Sequence, residues 1–406
     1  MTTGARVQAI ASAERPRPDD LPVALVMGDI DVVRPLARAG IPVAFFGFPD
    51  ASARFSRHVR AVLPWIDHWT RQDELLTALL RFGRSQDQPP VLYPQTDAAL
   101  LLVSRHRDEL SRAFRFILAD AELIEQLVDK GRFERLVRRL RLPVPPTQRV
   151  IAGPDRPPPA LHVSFPIIVK PVVRAAEWRA VGEAAKALEV RDERQWTTLW
   201  PRLARLDIEL LVQHLVPGPE TAVESYHAYV DGDGVIAGEF TGRKIRTDPP
   251  RFGYSTAVEV IDLPDVAELG RDVLRRLALT GVAKADFKRD ERGGLHLLEI
   301  NPRFTLWHHP AAVAGVNIPA LVHADLAGRP RPHGRKATRP IMWCKPLSDL
   351  RAAHAAGISP LTWLRWAMRC RALSDLSWED PMPFIRGALW PAFWRRARAA
   401  ALSARR

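Results

Sequence analysis

At 406 residues the chain has room for about two to three packed units, and 47% hydrophobic with 26% charged residues is the balance of a folded globular protein. A formal charge of +13 raises nucleic acid and membrane surfaces as partners, yet only eight of the 59 basic residues are lysine. No zinc-finger spacing or aromatic RNA-binding signature accompanies that charge, so no specific nucleic-acid partner is expected. Two cysteines, Cys344 and Cys370, lack CxxC spacing and are too few for a disulfide framework. They predict buried thiols in a reducing, cytoplasmic compartment, and no apolar run of about 18 residues predicts a membrane span.

Residues 1–20 carry charges and prolines without the apolar core of a signal peptide, and are expected to form a disordered arm. Residues 21–27 read as a strand closed by Gly28-Asp29, Val32, Val33, Leu36 and Ala37 recur at helical spacing, and residues 41–46 read as a second strand. Strand, helix, strand predicts a Rossmann-like parallel βαβ unit with right-handed crossovers. Residues 92–94 read as a further strand, with Thr96-Asp97 capping the helix that follows. Gly-Asp-Ile-Asp at the first crossover is not a GxGxxG, which favours a structural or acceptor-substrate role there.

Helical periodicity runs through 121–139 and stops at the prolines of 142–146, which remove backbone donors and force extended backbone. Residues 165–170 and 208–216 read as strands, and 226–240 as a hairpin around Asp231-Gly232-Asp233-Gly234. Mixed α+β structure follows for the middle of the chain. Residues 328–340 read as a basic, proline-containing linker, and the rest as a tryptophan-rich helical tail.

The most informative stretch is 281–304, which reads as two strands joined at Gly293-Gly294. Period-2 geometry puts Glu299 and Asn301 on one face of the second strand, with Asp286 opposite them on the first. Two carboxylates and an amide oxygen are hard donors suited to Mg2+, which binds through a few carboxylates and substrate phosphates. The stretch predicts a magnesium nucleotide site.

Read in order, Asp129-Lys130, Ile168-Val169-Lys170-Pro171, residues 212–220 (VQHLVPGPE), Asp286 and Glu299-Ile300-Asn301-Pro302-Arg303 resemble the ATP-grasp superfamily of carboxylate-amine ligases over residues 21–330. The resemblance implies ATP with Mg2+ or Mn2+, and a fold of α/β and α+β parts. A pre-ATP-grasp domain would span 21–120, a small subdomain with hinge 121–225, a large subdomain with the metal site 226–330, and a linker with helical extension 331–406. Lys130 and Lys170 would act on phosphates as compact charges. Gln213, Leu215 and Val216 would hold adenine, Glu220 the ribose hydroxyls, Asp286, Glu299 and Asn301 the metal, and Arg303 the transferred phosphate. Pro171 leads into no glycine-rich loop, so Arg174, Arg179 or Lys186 would supply charge over the phosphates instead.

Residues 241–253 with 301–310 resemble the branch that holds D-aspartate ligases and uncharacterised carboligases. That branch implies that Arg243, Lys244 and Arg246, read as three cations on one turn, face the γ-phosphate or the carboxylate substrate; a solvated face is the alternative. His308 and His309 suit either substrate contact or a helix start. The function implied is ATP-dependent amide formation from small carboxylate and amine substrates, amino-acid or peptide-like, through an acyl phosphate. The alternative is an inactive ATP-binding sensor or scaffold. In the tail, Trp390, Phe393, Trp394 and Ala397 share a helical face beside Arg395, Arg396 and Arg398, a pattern open to peripheral membrane contact or to packing on the protein itself. A homodimer is equally left open.

Overall fold

The computed structural model describes residues 20–172, 178, 181, 187–250 and 253–392. The expected arm over 1–19, the candidate phosphate cations Arg174, Arg179 and Lys186, and Phe393, Trp394, Arg395, Arg396, Ala397 and Arg398 lie outside the described residues.

A four-stranded parallel sheet comes first, built from β1 (Ala24–Met27), β2 (Val43–Phe46), β3 (Val59–Val62) and β4 (Val91–Pro94) in the order β3-β2-β1-β4. β1, β2 and β4 read as continuous apolar runs because both faces are covered, whereas the edge strand β3 is largely exposed. Ala24, Val26, Val43 and Phe45 enter one core, while Leu25, Met27, Ala44 and Phe46 enter another. Asp29 caps the helix Ile30–Arg38 and Thr96 caps the helix Asp97–Arg105, each accepting from a backbone amide of the first turn. Those caps place the polar loops at the carboxyl ends of β1 and β4, where open parallel sheets leave a ligand crevice.

The continuous helix expected over 121–139 is two helices, Ala121–Val128 and Lys130–Arg139. Asp129 breaks it: its backbone is extended at ψ 119, and its carboxylate accepts from the Arg132 amide to cap the second helix. Lys130 therefore opens a helix, an electrostatically unfavourable place for a cation.

The second sheet, antiparallel, holds β5 (Thr147–Ile151), β6 (Ile167–Pro171), β7 (Leu188–Val190) and β8 (Glu209–His214) in the order β5-β8-β6-β7. The third has seven strands, β9 (Val223–Val230), β10 (Ile236–Asp248), β11 (Tyr254–Val260), β12 (Gly281–Arg289), β13 (Leu295–Asn301), β14 (Ile341–Cys344) and β15 (Ala372–Leu373), ordered β13-β12-β9-β10-β11-β14-β15.

Two further features depart from the sequence reading. The basic run at 243–246 lies on the long strand β10, not on a turn, so its side chains alternate between faces. The expected linker and helical extension are woven into the third sheet: β14 pairs antiparallel with β11, β15 pairs parallel with β14, and Arg335 accepts through its carbonyl from the Glu239 amide. Cys344 and Cys370 are free and buried, in one small cluster with Ala257.

Candidate active site

The site starts from the β12–β13 hairpin. Gly293 takes φ +86, a left-handed conformation that suits glycine, and Asp290 holds the turn by accepting from the amides of Arg292 and Gly294. The resulting register sets Asp286 opposite Glu299 and Lys284 opposite Asn301. On the other side of β12, Asp286 pairs with Ser225 of β9, and Ser225 pairs with Gly242 of β10. Lys244, two residues after Gly242, thus shares the face of Asp286 and comes within 3.7 Å of its Oδ2. Lys284 Nζ donates to the same oxygen at 2.6 Å.

Asp286 is only 1% exposed, and its Oδ1 is buried without a hydrogen-bond partner among the described residues. Burial pushes its carboxyl above the usual range, with Lys284 and Lys244 pulling the other way. Glu299 lies in the cleft, open to solvent yet walled by protein. Desolvation there would raise its carboxyl, but Lys284 and Lys244 outweigh it and hold the group below the usual range. Lys244 is the converse case: desolvation would lower its ammonium, and the carboxylates of Asp286, Glu299 and Glu220 more than offset this, so it is raised.

Asn301 closes the cluster, donating to Glu299 Oε1 at 3.1 Å and accepting through Oδ1 from Arg303 Nη2 at 3.1 Å. Arg303 also donates to Asp97 Oδ1 at 2.6 Å and to the Gln95 carbonyl at 3.1 Å, tying the end of β13 to the carboxyl end of β4. Among the described residues no three His, Cys, Asp or Glu side chains gather as a metal site. The set here is two carboxylates and one amide, and the unpartnered Asp286 Oδ1 leaves a lone pair free; both fit a hard divalent cation.

The opposite wall comes from the second sheet. Lys170, on β6, donates to Gln213 Oε1 at 3.3 Å, and Gln213 in turn donates to Thr147 Oγ1 at 2.9 Å. Burial lowers the Lys170 ammonium while the Glu299 carboxylate opposes that, so the two sheets face each other across charge. Lys130 donates to the Pro171 carbonyl at 3.1 Å, beside the same strand. Gln213 is 7% exposed and turned inward, the Leu215 amide donates to the Pro166 carbonyl at 2.8 Å, and Val216 is buried. Lys288 donates to the carbonyls of Gly218 and Pro219, fixing the turn that delivers Glu220 toward Lys244.

Arg243 is not brought to this cluster. It lies across β10 from Lys244 and pairs with Glu259, its partner in register on β11, at 2.8 Å. Arg246 forms two hydrogen bonds with buried Asp349 and covers the Trp366 ring at 3.9 Å, both in the C-terminal segment. His308 accepts from the Thr305 amide and His309 meets Asp31 at 3.1 Å, and both lie buried at the start of the helix His308–Ala314. Sequence reasoning passed over Lys284 and Lys288. Their signal was present, since scarce lysines at 284 and 288 share a strand face with Asp286.

Residues 207–347 match the family described as ATP-grasp in the biosynthetic pathway with Ter operon. The chain carries an ATP-grasp domain. Among curated proteins, it is 26% identical over 296 residues to the D-aspartate ligase of Enterococcus faecium, covering 68% of each chain. It is 24% identical over 210 residues to a D-alanine–D-alanine ligase of Pseudomonas entomophila, over 49% of this chain and 64% of that one, less than two thirds of the relative's length. Among solved structures, an ADP complex of N5-carboxyaminoimidazole ribonucleotide synthetase aligns with TM-score 0.60 at 13% identity, over 79% of this chain and 81% of that one. An L-amino acid ligase from Bacillus licheniformis aligns at 0.56 with 14% identity, over 77% and 75%. At these identities the structural likeness speaks for the ATP-grasp fold alone. Among the described residues, no helix is long and apolar enough to cross a membrane.

Proposed function

We propose that the chain is an ATP-dependent carboxylate-amine ligase, forming an amide through an acyl phosphate and releasing ADP and phosphate. The observation that carries this reading is the facing arrangement of Lys170 on one sheet and Glu299, Asp286, Lys244 and Lys284 on the other. The relatives named as ligases of D-aspartate and D-alanine support a carbon–nitrogen bond and small amino-acid substrates.

In this reading Asp286, Glu299 and Asn301 hold the divalent cation, Mg2+ or Mn2+, whose part is to neutralise phosphate charge. Lys170 from the second sheet and Lys130 from the helix start beside it bind phosphate oxygens, and the strand end at Gln213, Leu215 and Val216 packs the adenine. Glu220 serves two neighbours, the ribose hydroxyls and Lys244. A substrate carboxylate attacks the γ-phosphorus and ADP leaves; the amine then attacks the acyl carbon, phosphate leaves, and the amine nitrogen loses its proton to solvent. Lys244 and Arg303 stabilise the charge of the transferred group, and Arg303 also fixes the crevice in which the acceptor lies. The chemistry needs positioning and charge, not a side-chain nucleophile.

The test is phosphate release from ATP by purified protein given panels of acids and amines, with mass spectrometry of the condensation product. Release that requires both substrates, and that Glu299→Ala and Lys170→Ala abolish without unfolding, is the expected result. ATP binding with no turnover across a broad panel would reject ligase activity in favour of a sensor.

A further inference from the structure

Fourteen large hydrophobic side chains stand exposed among the described residues, and eight of them fall between positions 361 and 390. The helix Pro360–Ala367 presents Leu361 and Leu364, with Met368 just beyond at 71% exposure, a spacing of three and four that lines one helical face. Trp378, in the loop that follows, is 96% exposed. The helix Pro383–Leu389 then presents Ile385 and Leu389, with Met382 before it and Trp390 after.

These elements are fixed in place by their other sides. Trp363 donates its indole N–H to buried Asp349, and Asp380 accepts from Ser56 and from the Arg57 amide of the first unit. A Cβ at Gly387 would come 2.4 Å from Ser52 Cα, so the second helix lies directly against that unit and turns its apolar side outward. Clustered apolar exposure on a well-anchored segment marks an interaction surface.

Charge selects the partner. Arg365, Arg369, Arg371 and Arg386 are exposed within the same segment. Of its three acids, Asp375 and Asp380 are buried and hydrogen-bonded, which leaves Glu379. A second copy docking by the same surface would bring two sets of these arginines into one interface with only Glu379 to offset each set. An anionic bilayer satisfies both features at once, with apolar side chains at the acyl boundary and guanidinium groups at the headgroups.

We propose that residues 361–390 form a peripheral docking surface for anionic membranes, lying on the bilayer without crossing it. This inference is independent of the ligase reading.

The experiment is flotation of the full chain with phosphatidylcholine vesicles, with and without phosphatidylglycerol, at low and high salt. Binding to the anionic vesicles alone, weakened by salt, is expected. Leu364→Ser should weaken it about tenfold, and Leu364→Ser with Trp378→Ser further, since each exposed apolar side chain adds its own transfer energy. Arg365→Glu with Arg369→Glu should remove the anionic preference, and unchanged thermal melting would show these variants folded. The proposal is overturned by no vesicle binding, by equal binding to neutral vesicles, or by variants that bind as the parent does. A dimer in analytical ultracentrifugation that the serine variants dissolve would overturn it as well, assigning the surface to a second copy.

Discussion

Lys284→Met perturbs the charge cluster at its tightest contact. Lys284 Nζ lies 2.6 Å from Asp286 Oδ2, and Lys244 is the next cation at 3.7 Å. With an effective dielectric of about 20, the two attractions are roughly 6 and 4 kcal/mol before desolvation is charged against them. Removing one partner of a buried pair typically costs about 3–5 kcal/mol, because the remaining charge stays desolvated. The expected loss at neutral pH is therefore on the order of 10 °C in melting temperature for a unit of this size. Burial already raises the Asp286 carboxyl, and deleting Lys284 raises it further. A raised carboxyl is penalised above its folded pKa and relieved below it, so the gap between parent and variant should narrow as pH falls. The assay is differential scanning calorimetry from neutral pH downward, extended to Asp286→Asn and the double variant. The double variant should lose clearly less than the sum of the singles, since the interaction is already absent in either one. A gap smaller than about 2 °C, a gap that does not change with pH, or strict additivity would refute the reasoning.

Arg243→Ala should leave turnover within about twofold of the parent, whereas Lys244→Ala should lower kcat by about a hundredfold or more, in line with loss of one transition-state donor; equal losses in a phosphate-release assay would contradict the assignment of faces on β10. His308 is buried and neutral, its imidazole lowered to about 4 by desolvation from an ordinary 6.5. The unfolded chain binds that proton first, so stability falls as pH drops between these values, by about 2 kcal/mol near pH 5. His308→Gln should flatten the fall in melting temperature between neutral pH and that point, and an unchanged slope would remove His308 from the account. Arg246→Met strands the Asp349 carboxylate, which is 0% exposed and also accepts from Thr256 and Trp363. A stability loss of about 3–5 kcal/mol by urea unfolding, with KM for ATP unchanged, is expected; a raised KM at full stability would return Arg246 to the site.

The hairpin at 281–304 was legible because everything that defines it is local. Strand alternation fixes which side chains share a face, and Gly293 supplies the left-handed turn, so Asp286, Glu299 and Asn301 could be grouped without any partner element. The apolar runs of β1 and β2 and the cap at Thr96 were readable for the same reason. Arg243 and Lys244 were misgrouped because a turn and a strand distribute neighbouring cations differently, and only pairing with β9 and β11 makes that segment a strand.

The amino-acid sequence by itself determined the chemistry available: two acids and an amide at strand spacing, scarce lysines in a fixed order, and enough alternation to build sheets. Tertiary structure alone decided which of these groups meet. Lys170 and Glu299 are far apart along the chain and belong to different sheets, so their mutual influence depends on how those sheets pack. Likewise Arg303 reaches Asp97, and the segment after 340 becomes β14 and β15 through pairing partners that no local pattern names. Register and packing are non-local terms, set by burial of whole faces, and a side chain's role follows from them as much as from its type.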